Sequence, residues 1–347
     1  MFRKELKFFL RIPLVFLLAV QLSPAGPAVA RPGDPSPPDR TAWTVEAGEG
    51  EELEVPGSES DRFRLRVSAV DQPRRMVELE LRQDPRPAWP YRWTREEKFR
   101  YFNLGLAGTT ALYGLLFWDY GSSSFRFGSE GWFDADTDYG GADKIGHAWT
   151  TYLLCNVFNA VYRYWGYEPE EAALRGALSG YGMVTLVEIG DGFSRAHGFS
   201  WEDQLANTVG AGLAYLLLRV PELDRVVDFR MEWIPSPSLR HGDRSDFVTD
   251  YSGYKFLLAF KPGGLWEESP PALSFVEFHL GYFAHGFLRS DQKYFDEKTR
   301  EVYVALGINV THLLETTLGT SAGRVFDFIQ VPYTYIPAGK SWDTPYE

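Results

Sequence analysis

The chain has 347 residues, a formal net charge of −12 and a single cysteine. One cysteine excludes an intrachain disulfide framework, so the core has to hold by packing alone. The acid excess argues against a nucleic-acid partner, which needs clustered Lys and Arg, and against plain electrostatic adsorption to anionic headgroups.

The first thirty residues have a basic start (Arg3, Lys4, Lys7, Arg11), an apolar centre from Ile12 to Leu22 and the small-residue run Ala28-Val29-Ala30. This is the three-part pattern of a cleavable signal peptide, with cleavage expected before Arg31. The apolar centre is shorter than the roughly 20 residues a membrane-spanning helix needs. No cysteine adjoins the cleavage site, so a lipid-modified N-terminus is not expected. The signal carries +3 of the −12, which leaves −15 on the exported part. Membrane contact would then be apolar or aromatic in nature.

Residues 31–40 are rich in Pro and charge and read as a flexible tether. Across residues 41–92, three short, partly alternating segments (Trp43 to Val55, Phe63 to Val70, Met76 to Leu81) predict a small β element. From Trp93 the pattern changes to four long apolar segments. They run over Arg95–Trp118, over Asp143–Trp165, from Pro169 with Glu170 and Glu171 in the first turn, and from Ser200 to just before Pro221. Tyr101 to Trp118 and Ile145 to Tyr162 each meet the approximate 18-residue length of a membrane span, whereas Gly176–Val187 and Leu205–Leu218 suit buried or interfacial helices. Small residues at four-residue spacing (Ala172, Gly176, Gly180 and Ala206, Gly210, Ala214) predict close helix contacts in water or lipid alike. The aromatic loop Trp118–Trp132 reads either as a cover over the bundle end or as an interfacial anchor.

After Pro235 the chain becomes strand-like at Tyr254–Phe260, Ser274–Phe287 and Glu301–Leu314. Val302, Val304, Leu306, Ile308 and Val310 alternate with Tyr303, Ala305, Gly307 and Asn309, the pattern of a half-buried strand. About four strands are expected, fewer than the eight or so of a complete transmembrane barrel. The fold class is α+β: a small N-terminal β element, a bundle of about four apolar helices over 93–235, and an antiparallel β-rich region over 236–347.

Polar residues gather where the helices would meet. Asp143-Lys144 and His147 open the second helix, with Asp143 and His147 one turn apart on one face. Glu188 and Asp191 end the third, and a short loop carries His197. Ser200 and Asp203 open the fourth, with Asn207 a turn beyond. If consecutive helices are antiparallel, these residues converge at one end of the bundle. They can bind a divalent metal ion or act as acid and base. Each also has a plainer structural role: Ser200 with Asp203 is a capping box variant, Asp191-Gly192 a helix stop, and His147 a core histidine. Glu188 follows the apolar run Met183–Val187, where a carboxylate needs a partner or a raised pKa. Cys155 sits in apolar sequence and reads as a structural thiol.

At these residues the chain resembles the YfiM-like family, usually described as predicted periplasmic or envelope-associated lipoproteins. The shared pattern is Asp143-Lys144-x-Gly146-His147, Glu188-x-x-Asp191-Gly192 and Gly198-Phe199-Ser200-x-x-Asp203-x-x-x-Asn207-x-x-Gly210. A weaker likeness, through Asp-Lys-x-x-His, Glu and Ser-x-x-Asp-x-x-x-Asn, is to VanZ-like membrane proteins, which would imply membrane-embedded helices with the polar cluster at their ends. Neither resemblance brings a reaction. Nucleotide-binding glycine loops, Gly-x-Ser-x-Gly elbows and His-Glu-x-x-His motifs are absent. The expectation is an exported envelope protein, periplasmic or associated with the outer membrane. Glu188, His147 and Asp191 are its candidate catalytic residues, and Asp143, Lys144, Asp203, Asn207 and His197 its candidate ligand-binding residues. Three functions are open: binding of a lipid-like or cell-wall-related ligand, a metal-dependent or acid/base hydrolase or transferase, and a non-catalytic envelope scaffold.

Overall fold

The computed structural model describes residues 93–244, 246–266, 268–318 and 321–337, and the backbone of three short strands before them. The signal peptide, the tether and the strand expected over 76–81 lie outside the described residues. The three strands are β1 (Glu52–Val55), β2 (Phe63–Arg66) and β3 (Arg82–Gln83), joined as an antiparallel sheet in chain order.

Four helices follow at the expected places: α1 (Arg95–Phe117), α2 (Ala142–Tyr164), α3 (Pro169–Gly192) and α4 (Trp201–Arg219). Pro169 opens α3 with a fixed φ suited to a first turn, and Glu170 and Glu171 face its positive end. Ser200 caps α4, its Oγ accepting the Asp203 amide at 3.2 Å. Helices α2, α3 and α4 pack against one another. The small-residue stripes make this contact possible. A Cβ on Gly176 would lie 2.7 Å from the Asn159 amide nitrogen, and one on Gly210 only 2.1 Å from the Ala148 carbonyl oxygen. Cys155 is fully buried at this seam, and burial pushes its thiol up to about 12. Helix α1 joins by aromatic contacts, with Phe102 edge-on to Phe158 and Trp165. Among the described residues no helix is long and apolar enough to cross a membrane.

The loop after α1 is a cover for the bundle end. Its strand β4 (Phe127–Gly128) pairs in parallel with β5 (Phe199–Ser200), and the Arg126 guanidinium donates to the carbonyls of Ser194, Arg195 and His197.

A short helix, α5 (Pro221–Asp224), leads into a five-stranded antiparallel sheet of order β10-β9-β8-β7-β6. Its strands are β6 (Val227–Trp233), β7 (Tyr254–Phe260), β8 (Val276–His285), β9 (Thr299–Ile308) and β10 (Tyr335–Pro337). This is one strand more than expected, because β6 carries a charge at every second position (Asp228, Arg230, Glu232) and lies before Pro235, in the stretch assigned to the bundle. The expected last strand also ends early. Asn309 Oδ1 accepts the His312 amide at 3.0 Å and starts a helix, α6 (Val310–Leu318).

Phe229, Met231, Phe256 and Leu258 pack one face of β6 and β7 onto Ala148, Trp149, Tyr152 and Leu217 of the bundle. The opposite face is buried although it is polar. Asp228, Arg230, Glu232, Glu277 and His279 are each at most 3% exposed. Arg230 donates to Glu277 at 2.7 Å and to Gln330 at 3.1 Å and pairs with Asp228, so the buried charges compensate one another. Closure of the sheet explains the burial. Met231 exchanges backbone hydrogen bonds with Phe328 and Gln330 on the free edge of β6 (3.0 and 2.9 Å), and the Tyr335 hydroxyl of β10 donates to Glu232 of β6 at 3.2 Å. The first and last strands thus meet over the polar face. Glycines make room inside: a Cβ on Gly281 would run into the Tyr303 ring, and one on Gly307 into His279.

The alternation on β9 therefore works in the opposite sense to a strand on an oily core. Tyr303 and Ala305 are buried, while Val302, Val304, Leu306 and Ile308 are about half exposed.

Candidate functional site

The start of α2, the end of α3 and the start of α4 meet, and they bring Asp143, Lys144, His147, Glu188 and Asp203 together. Lys144, only 2% exposed, lies 2.7 Å from Asp143 Oδ2, 2.7 Å from Asp203 Oδ1 and 2.9 Å from Glu130 Oε2. Glu130 comes from the loop after β4 and has no periodic or capping signal in the sequence. Only the tertiary structure shows that it belongs here.

His147 is the open side of the cluster, with its side chain 30% exposed. Its Nδ1 lies 3.5 Å from Glu188 Oε1 and its Nε2 3.8 Å from Asp203 Oδ1. One turn spacing within α2 suggested a pairing with Asp143, but Asp143 is held by Lys144. The Lys144 ammonium is the close partner of Asp203 Oδ1, and that buried oxygen accepts no other hydrogen bond. One ligand atom each from His147, Glu188 and Asp203 fits within 4.8 Å, and the same holds for Glu130, Asp143 and Asp203. The second trio already surrounds the Lys144 ammonium. The first shares Asp203 with that ammonium, Oδ1 lying 2.7 Å from it, while Glu188 faces the imidazole.

Asn207 and Thr151 lie a turn further in, behind Asp203 and His147. The Thr151 hydroxyl is 2.8 Å from both the His147 carbonyl oxygen and Asn207 Oδ1. One hydroxyl proton cannot serve two acceptors. Both contacts are satisfied when the Asn207 amide turns its nitrogen to Thr151, and the buried amide oxygen is then left without a partner. Asp191 is half-buried beside Tyr120, whose ring is slotted between Gly114 and Gly190 and whose hydroxyl donates to the Val187 carbonyl at 3.1 Å. No periodicity, cap or motif singles out Tyr120. His197 stands apart from this group. It is exposed in the loop before β5, tied down through its backbone carbonyl by Arg126.

Five carboxyls (Glu130, Asp143, Glu188, Asp191 and Asp203) share the site with one lysine and one imidazole, and the imbalance shifts their protonation. Burial pushes Glu188 up to about 9, helped by the negative charge of Asp203 and Asp191. Burial, Glu130 and Asp203 push Asp191 up to about 7. Burial likewise raises Glu130 and Asp143. For Asp203 the burial effect is overcome by His147 and Lys144, which hold it below the usual carboxylate range. Lys144 keeps its proton more firmly than a free lysine, because Asp143 and Asp203 outweigh the burial that opposes the charge. Such a donor set, one imidazole and several carboxylate oxygens, can coordinate a divalent metal ion.

Residues 129–219 match the family model described as "Predicted periplasmic lipoprotein (DUF2279)". No curated protein and no solved structure matches the chain. The matched segment contains Glu130, all the clustered residues of α2, α3 and α4, and Asn207. The chain therefore carries a YfiM-like DUF2279 domain and is an exported protein of the cell envelope.

Proposed function

We propose that this domain binds a divalent metal ion of the first transition series through His147, Glu188 and Asp203, and that the ion's open position receives an anionic lipid-like or cell-wall-related ligand. The observation that carries this reading is the trio itself. Three helices each deliver one ligand atom into a 4.8 Å group, Asp203 Oδ1 beside it has the Lys144 ammonium as its close partner and accepts no other hydrogen bond, and the trio is reached from solvent past His147. An imidazole with two carboxylates suits zinc or manganese, and three protein ligands leave a position for water or substrate. The ion would supply the positive charge that five carboxyls around one lysine lack. Held with an open position, it would polarise an oxygen of the ligand, the starting point for hydrolysis or group transfer.

A second reading has its own support. Glu188 is pushed up to about 9 while Asp203 is held below the usual range, with one imidazole between them. Two carboxyls pushed apart in this way make an acid and an ionised partner without any metal. Thermal unfolding of the full chain, freed of metal by chelator and then titrated with zinc or manganese, separates the two. The metal reading expects stabilisation of about 2.7 kcal/mol at a hundredfold excess over Kd, lost in His147→Ala and in Asp203→Asn. No stabilisation by either ion in the wild type sinks the metal reading and leaves the acid/base one.

A further inference from the structure

The closed sheet has its polarity reversed. Its inward positions carry paired charges, and its outward positions on β8 and β9 are Val276, Phe278, Leu280, Tyr282 and Ala284 beside Val302, Val304, Leu306 and Ile308, with Arg300 as the only charge, at one end. On β6 and β7 the outward face is covered by the helical bundle. On β8 and β9 it is covered only at the Tyr282–Ala284 end, where Ala142, Phe133 and Phe287 pack, and among the described residues the rest is open. Phe278, Leu280, Val302, Val304, Leu306 and Ile308 are 43–53% exposed, and Ile336 of β10 extends the patch at 74%. An aliphatic surface this continuous is not the ordinary scatter of apolar residues on a protein in water.

We propose that this outer face of β8, β9 and β10 is a membrane-seating surface, occupied by the acyl chains of one bilayer leaflet. Two observations favour lipid over a protein partner. First, the patch is uncharged and, apart from Phe278, aliphatic. A protein-binding centre is typically enriched in Tyr, Trp and Arg and carries hydrogen bonds, whereas hydrocarbon asks only for apolar side chains. Apolar outward and polar inward is also the alternation of strands that face lipid.

Second, exposed aromatics mark one end of the patch. Trp266, 61% exposed, lies in the connection leaving β7, and Tyr333, 90% exposed, lies just before β10. Both are at the end where Phe260 pairs with Phe278 and Val276 with Ile308, and Trp and Tyr are the residues that favour the headgroup zone. The other end carries Arg300. The run from Val302 to Ile308 is six residue steps, about 20 Å at a strand's rise, short of the roughly 30 Å hydrocarbon core. The face therefore seats in one leaflet and does not span. Since the chain carries −12, seating depends on apolar contact and not on anionic lipid. The surface is separate from the metal site and needs no metal.

The test uses the full chain with Leu306→Cys labelled by an environment-sensitive dye. Cys155 stays unlabelled in the folded protein because it is fully buried and its thiol is pushed up to about 12. Phosphatidylcholine vesicles, and vesicles of phosphatidylethanolamine with phosphatidylglycerol, should both shift the label's emission to the blue. Nitroxide on the acyl chains should quench it. A label at Lys293→Cys, at an exposed site away from the patch, should show neither effect. Val304→Arg, at a half-exposed position that the fold tolerates, should lower the partitioning reported by the Leu306 label about 30-fold, as expected for a cation forced into hydrocarbon. The proposal is overturned if the Leu306 label stays in water while the chain floats with vesicles, since residues elsewhere then carry the binding. It is also overturned if the label is buried by raising protein concentration without lipid, which would make the face an interface with a second copy.

Discussion

Replacing Glu188 by Gln in the metal-free protein should raise its stability at neutral pH. In the unfolded chain this carboxyl titrates near its ordinary 4.5, and in the folded protein it holds its proton up to about 9. Below pH 4.5 both states are protonated. As pH rises from there towards 9, the unfolded state releases the proton and the folded state does not, so stability falls by about 1.4 kcal/mol per pH unit. By pH 7 the accumulated loss is about 3 kcal/mol, with no discount for solvent screening because Glu188 is 3% exposed. Gln escapes this loss but weakens the contact with His147, worth about 1 kcal/mol. The variant should then be about 2 kcal/mol more stable than wild type at pH 7 and about 1 kcal/mol less stable near pH 4.5. Urea unfolding of both proteins in chelator at the two pH values measures the crossing. An equal destabilisation at both would refute the reasoning and make Glu188 a structural hydrogen-bonding residue.

Lys144→Ala should cost about 3–5 kcal/mol, because it leaves buried Asp143 and Asp203 without their cation; the loss should shrink in urea melts at low pH, where those carboxyls protonate. Gly210→Ala should cost about 1–3 kcal/mol or more, because its methyl would meet the Ala148 carbonyl in the α2–α4 seam. Thermal melts of Gly210→Ala and of Gly212→Ala, whose Cβ meets nothing within 4 Å, separate close packing from the general effect of replacing a helical glycine.

The helices were legible because their signals are local. Pro169 with its two glutamates, Ser200 as a cap and the long apolar runs act within a few residues of themselves, and α1 to α4 lie where those signals point. The convergence of His147, Glu188 and Asp203 followed from helix order and spacing, since short connections force neighbouring helices to turn back on each other. Glu130 and Tyr120 were not legible. One is a loop carboxylate and the other a loop phenol, and each owes its place to contacts with residues distant in the chain.

The sheet marks the limit of what alternation can say. Period-two patterning identified Val302, Val304, Leu306 and Ile308 as one face of a strand, and it cannot say whether that face meets a core or its surroundings. That was decided by closure: Phe328 to Gln330 on the edge of β6 and Tyr335 over Glu232 seal the polar side, so the charges become the interior. By itself the sequence determined where the four long helices and strands β7 to β9 form, which polar residues share a helix end, and the export signal pattern at the start of the chain. Only the tertiary structure decided which cation serves each carboxylate and which face of the sheet looks outward, because both depend on partners brought together from segments up to about a hundred residues apart.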